Sequence, residues 1–332
     1  MKSSVPKTIK EKYKTPSSLT DFQLKMYLHF IEWKWKHLTA DWGEHDGEKY
    51  GAILPEAFKK EFYPLYRPLV KDLSNHKFKL HKYFGHMASS QAACLNLFLP
   101  ILKDKNVADK ILPLINANYK ELATDYLEGG FQFEYWDSSN PLNDHTIAAG
   151  TDSDVAIAYY DTSGALSLWL IEHKLTENEF TKCGGFRSDG NREKNNCDDG
   201  LMILRDHSKC YYNYHCNYNY WSLTDESGIY NPQILQKRTK CPFIGGENQL
   251  WRNQLMGYAI RKKGQFKNVH FSVVHHQDNN DLSGTLKKYQ ELLLNKDIFS
   301  SYTLRDFIIA AEKVNDDDLN NWISWYRDLY LV

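Results

Sequence analysis

The chain has 332 residues, of which 42% are hydrophobic and 25% charged, with a formal net charge of −1. That is the composition of a folded protein, long enough for one large domain or two small ones. The near-neutral balance excludes a protein that coats nucleic acid through overall positive charge, but not one with a local basic groove.

Residues 1–16 are polar and Lys-rich and lack the apolar core of a signal peptide. Asp21 to His37 has the spacing of an amphipathic helix, with Thr20 or Asp21 able to cap it. Residues 41–82 are aromatic and punctuated by proline, with no clear period. Ser89 to Leu102 reads as a buried helix with Ser89 or Ser90 as N-cap and Cys94 in its core, and it is too short to span a bilayer. A cytoplasmic location without a membrane partner is the expectation. A second helix is expected from Asn106 to Leu127, with a break near Pro113.

The pattern then changes. Phe131 to Trp136 alternates as a strand does, and Asp154–Tyr160 and Leu166–Lys174 are two further strand candidates. Between the last two stands the turn signal Asp161-Thr-Ser-Gly164. Residues 178–245 hold five of the six cysteines and the run Tyr211 to Trp221, rich in Tyr and Asn. Helices are expected at Glu247–Arg261, Gly284–Leu294 and Asp317–Leu329, with a strand at Val269–His275. His275 and His276 would point to opposite faces, a poor shared metal site, and read as polar residues at a strand end. The whole suggests α/β layers around a mixed sheet. Residues 1–82 would form a helical and irregular extension, and 83–332 the principal domain with an insertion at 178–245.

Glu172 and Lys174 are two apart on a strand and share one face. If Thr162-Ser163-Gly164 is a three-residue loop, Asp154 falls opposite Glu172 and Asp152 opposite Lys174, with Cβ atoms about 5 Å apart. A four-residue loop would spoil that pairing. Two carboxylates can hold Mg²⁺ (or Mn²⁺), which binds phosphate oxygens and lowers the pKa of a bound water, while a nearby Lys stabilises developing charge. A plain cross-strand salt bridge is the alternative.

Asp, a hairpin, then Glu-x-Lys resembles the PD-(D/E)XK nuclease superfamily. The matching residues are Thr151-Asp-Ser-Asp154 and Ile171-Glu-His-Lys174. The resemblance implies a three-layer α/β/α restriction-endonuclease-like fold, with Asp154 and Glu172 as metal ligands and Lys174 as the catalytic Lys. Ser153 stands where the pattern has Pro, which leaves Asp152 as a rival to Asp154. Gln254 and Tyr258, four apart on a helix, resemble the Q-x3-Y element of related nucleases and would bind the DNA strand. Trp251, Arg252 and Asn253 could face the same groove. Glu134 would be an additional acid, and Gln91 lies where the superfamily often carries an acidic helix residue.

Cys183, Cys197, Cys210 and Cys241 are the choice for a structural Zn²⁺ or [4Fe–4S] site, with Cys216, His207 or His215 as substitutes and scattered free thiols as the alternative. The Tyr-rich run would stack on bases or form a packed aromatic flap. The expectation is a metal-dependent deoxyribonuclease in restriction or mobile-element defence. An RNA-directed nuclease and a non-catalytic binding module remain as alternatives, and the oligomeric state, a dimer included, stays open.

Overall fold

The computed structural model describes residues 1–70, 78–146, 150–314 and 316–332. The elements that precede the main sheet include three helices that pack on it: α1 (Asp21–His37), α2 (Ser90–Leu102) and α3 (Lys105–Ile111). Four strands follow: β1 (Tyr119–Leu122), β2 (Phe131–Tyr135), β3 (Ser153–Asp161) and β4 (Leu166–Lys174). A long insertion of short helices, including α4 (Tyr220–Ser227), leads to α5 (Glu247–Lys262) and β5 (Asn268–His275). The chain closes with α6 (Ser283–Leu292), β6 (Phe299–Thr303), α7 (Leu304–Glu312) and α8 (Asp317–Tyr330).

The six strands make one mixed sheet in the order β6-β5-β4-β3-β1, with β2 also paired to β3. β6, β5 and β4 run parallel, while β3 is antiparallel to β4, β1 and β2. β1 pairs with the C-terminal end of β3 and β2 with its N-terminal end, so the two short strands share one edge.

Helices cover both faces, giving three layers. On one face Val155, Ile157, Trp169 and Ile171 pack with residues of α1, α2, α7 and α8. On the other, Ala156, Ala158, Leu168 and Leu170 pack with α4, α5 and α6. The alternation along β3 and β4 assigns odd and even positions to opposite layers. In α1, Thr20 accepts from Gln23 N and the Gln23 side chain accepts from Thr20 N, a capping box. In α2 nearly every residue is buried, as expected of a helix apolar all round, and Ser89 caps it. Cys94 lies in that core.

The β3–β4 turn has the three-residue form. Asp161 N donates to Ala165 O at 2.9 Å, and Gly164 takes φ 79°, a left-handed value that glycine adopts without strain. Asp161 Oδ1 accepts from Ser163 N at 2.9 Å and Ala165 N at 3.0 Å. The pairs run from Tyr160↔Leu166 to Val155↔Ile171, and the next pair in that register is Asp154 with Glu172.

Residues 106–127 break near Pro113 as expected, but the second half is not helical. α3 stops at Ile111, Pro113 lies in a 3-10 turn, and Tyr119–Leu122 is a strand. Proline supplies no N–H and cannot continue the helix, and the alternation after it pairs with β3 instead. β6 and α7 occupy 299–312, where the sequence reading assigned no element. Among the described residues no helix is long and apolar enough to cross a membrane.

Candidate active site

The N-terminal end of β3 and the C-terminal end of β4 meet at one end of the sheet. There β2 contributes a third residue. Phe133 pairs with Val155 and Tyr135 with Ser153, so Glu134 stands opposite Asp154. Glu134, Asp154 and Glu172 thus occupy one row across three adjacent strands. Glu134 has φ 50°, the left-handed region, which costs a non-glycine residue about 1 kcal/mol or more. Gln91, at the start of α2, holds it: Gln91 Nε2 donates to Glu134 Oε1 at 2.8 Å and to Lys79 O at 3.1 Å.

Glu172 is 4% exposed and Lys174 8%. Lys174 Nζ and Glu172 Oε1 are 2.8 Å apart. Two amides of α5 complete the shell of Glu172. Gln249 Nε2 donates to Oε1 at 2.7 Å and Asn253 Nδ2 to Oε2 at 2.9 Å. They are four residues apart on one helix face. Asp154 Oδ2 accepts from the backbone N–H of His173 at 2.5 Å.

The electrostatics follow from crowding. Burial, with Glu172 and Glu134 nearby, holds the Asp154 carboxyl well above its ordinary range, against the opposing pull of Lys174 and the His173 N–H. Burial raises Glu134 to about 7; the Gln91 bond opposes this, and Asp152 and Glu172 add to it. Burial alone would lower the Lys174 ammonium, but Glu172, Glu177 and Asp154 outweigh it and keep it above its usual value. His173 is pushed the other way, to about 3, by burial beside Lys174 and His275, and neither ring nitrogen has a partner.

Two clefts adjoin this row. One, of about 620 Å³, is lined by Asp154, Glu134, Gln91, Ser89 and Glu177 among others. The other, of about 730 Å³, holds Asp152, Lys79, Lys82, His145 and the exposed Trp136, which stacks on His145 at 3.9 Å between centroids. Glu134, Gln91 and His81 line both. Asp152 is exposed in the second cleft, whereas Asp154 lies in the carboxylate row.

Asp154 and Glu172 suit a hard divalent cation: both are oxygen donors, on neighbouring strands, and a cation would offset the burial and the carboxylate repulsion that raise Asp154. Among the described residues no three His, Cys, Asp or Glu side chains form a finished metal cage. A cation there would therefore keep waters and accept phosphate oxygens, the usual habit of Mg²⁺.

Gln254 and Tyr258, expected to meet the DNA strand, lie on α5 beside the residues that hold Glu172. Gln254 is buried with its Oε1 unpartnered, and the Tyr258 hydroxyl donates to Glu226 O at 3.3 Å. Of the residues flanking them, Trp251 packs at 4.2 Å on Phe243, and Arg252 donates to Thr151 Oγ1 at 3.1 Å. The contacts to Glu172 come from Gln249 and Asn253. Asn253 was among the groove candidates; Gln249 was missed, although its i, i+4 spacing to Asn253 was the available signal. His276 bonds Tyr330 O at 2.8 Å, a buried structural contact.

A family model described as a restriction endonuclease associating with ARP matches residues 32–331. No curated protein and no solved structure matches the chain. With the match spanning nearly all of the chain, and with a mixed six-stranded sheet between helical layers, the fold is restriction-endonuclease-like and the chain belongs to the family of restriction endonucleases associating with ARP.

Proposed function

We propose that the chain hydrolyses phosphodiester bonds of DNA using a divalent cation, Mg²⁺ or Mn²⁺, held by Asp154 and Glu172. The observation that carries this reading is the buried Glu172–Lys174 pair at the end of β4, with Asp154 opposite it in register and two clefts beside it. A polar cluster so costly to bury, at the end of a sheet and bordered by two clefts through Asp154, Glu134 and Asp152, is the expected signature of a site rather than of a structural bridge.

When bound, the cation would neutralise phosphoryl charge and acidify a water. The protein's own groups do the rest. Gln249 and Asn253 restrain both oxygens of Glu172. Lys174 keeps its proton and can donate to the attacking water or to an oxygen gaining charge. Glu134, titrating near 7, is suited to accept a proton at neutral pH. Lys79, Lys82 and the Trp136–His145 stack in the second cleft suit a phosphate backbone and an unstacked base.

The test is cleavage of DNA and RNA side by side with Mg²⁺ or Mn²⁺. Lys174→Ala should lower the rate at least about 100-fold while DNA binding persists. Normal cutting by that variant would sink the assignment, and faster cleavage of RNA would transfer the reading to that substrate. Association with ARP, named in the family's description, is extended to this chain as part of the same proposal and is checked by co-purification.

A further inference from the structure

Away from the clefts, the insertion between β4 and α5 gathers four thiols from distant positions. Cys183, Cys197, Cys210 and Cys241 are all buried and all free of disulfides. Backbone bonds bring their segments together. Cys241 N donates to Cys197 O at 2.8 Å, and Cys183 N to Ile244 O at 3.2 Å. The segment of Cys210 touches both others: Gly184 N donates to Tyr212 Oη at 2.7 Å, and Asn196 Nδ2 to Lys209 O at 3.4 Å. Cys241 lies within electrostatic reach of Cys210, Cys197 and Cys183.

At two of these cysteines peptide N–H groups face the sulfur, although burial raises both thiols above their ordinary value. Cys183 Sγ accepts from Phe186 N at 3.4 Å, and Cys241 is favoured in its charged form by a bond from Phe243 N. Peptide N–H groups two or three residues beyond a cysteine, aimed at its sulfur, stabilise negative charge there. The surrounding helices are very short: Gly184–Arg187, His207–Lys209, Tyr211–Tyr214 and Pro232–Leu235 have three or four residues each. Helices of that length have no stability of their own.

We propose that Cys183, Cys197, Cys210 and Cys241 bind a structural metal centre, a tetrathiolate Zn²⁺ or a thiolate-held iron–sulfur cluster, that fastens the insertion. Among the described residues no three candidate ligands stand as a finished cage, so the final closure of the thiols belongs to the binding step, as in small domains whose ligands the ion assembles. Thiols lose their protons as the metal binds, which removes the cost of four buried, uncoordinated sulfurs. The centre lies two residues from Tyr212, which faces Arg252 of α5, and Arg252 in turn donates to Thr151 beside β3. It would therefore brace the helix that carries Gln249 and Asn253. This inference stands on the cysteine cluster alone and does not depend on the phosphodiesterase reading.

The experiment is metal analysis and absorption spectroscopy of the full chain purified anaerobically, paired with limited trypsin digestion. One zinc per chain without colour, or iron with acid-labile sulfide and absorption near 400 nm, supports the centre and distinguishes its two forms. Cys197→Ser/Cys241→Ser should lose the metal and be cut about 10-fold faster in the insertion, whereas Cys216→Ser should keep it. Wild-type protein treated with chelator supplies the same comparison without depending on the solubility of the double variant. Wild-type protein that carries no metal, takes up neither zinc nor reconstituted iron–sulfide, and digests equally with and without chelator would overturn the proposal.

Discussion

Gln91 Nε2 donates to Glu134 Oε1 at 2.8 Å, tying the first turn of α2 to a strand residue held at φ 50°. The bond restrains a carboxyl group that burial has raised to about 7. Its folded value exceeds its ordinary one, so its contribution to stability is present below about pH 4.5 and is lost as the pH rises through about 7. Glu134→Gln should therefore be more stable than the native chain at pH 8, by about 1–3 kcal/mol in metal-free buffer, and the gain should vanish at pH 4. Urea denaturation with chelator at the two pH values reads this directly. Equal stability of the two proteins at pH 8 would refute it.

Asn253→Ala and Gln249→Ala each leave one oxygen of a buried carboxylate without its amide. The cost should be about 1–3 kcal/mol of stability for each. Under the phosphodiesterase reading, the Mg²⁺ concentration for half-maximal cleavage should also rise by about 10-fold. A metal titration of the cleavage rate, beside a thermal melt, separates the two effects. Unchanged metal dependence would make these residues purely structural.

His173 and His276 are buried, with values near 3 and 4. Both lie below the ordinary histidine value, so the unfolded chain takes up protons first as the pH falls. Stability should be complete above about pH 6.5 and decline between there and pH 3. His173→Leu removes two ring nitrogens that have no partner and should flatten that decline by on the order of 2 kcal/mol, with some gain at pH 7. Chemical denaturation across pH 4–7 tests it; an unchanged slope would rule His173 out as a source.

Asp161 accepts from Ser163, Ala165, Ser167 and Asn268, and although burial opposes it, these bonds hold its carboxyl near 2. This depressed value gives stability above about pH 4 that is lost as the pH falls toward 2. Asp161→Ala should cost about 2 kcal/mol and raise amide exchange along both strands of the hairpin. Exchange confined to the turn itself would show that the register does not depend on this residue.

The hairpin was legible because its register is fixed by local chemistry. Gly164 supplies the left-handed turn, and the three-residue loop that it closes sets the pairing of β3 with β4. That was enough to set Asp154 against Glu172. Glu134 was legible as a strand acid, but not its position opposite Asp154 nor its bond to Gln91, since these depend on how β2 docks. The helix placed on 106–127 failed because its second half owes its conformation to β3 rather than to its own sequence. Gln249, and the contact of Asn253 with Glu172, were hidden for a related reason: two amides on a helix resemble solvated polar residues until a buried carboxylate stands opposite.

The edge shared by β1 and β2 has a mechanical consequence. β3 is nine residues long, but its outer partner is broken into two pieces that join through a loop. The piece carrying Tyr119, stacked on Tyr159, anchors the far end, while the piece carrying Glu134 borders both clefts. Each piece is held to β3 by its own bonds, so the second can loosen without unzipping the first. The same break interrupts the row of free peptide groups that a second molecule would need in order to add a strand, which protects this edge against aggregation.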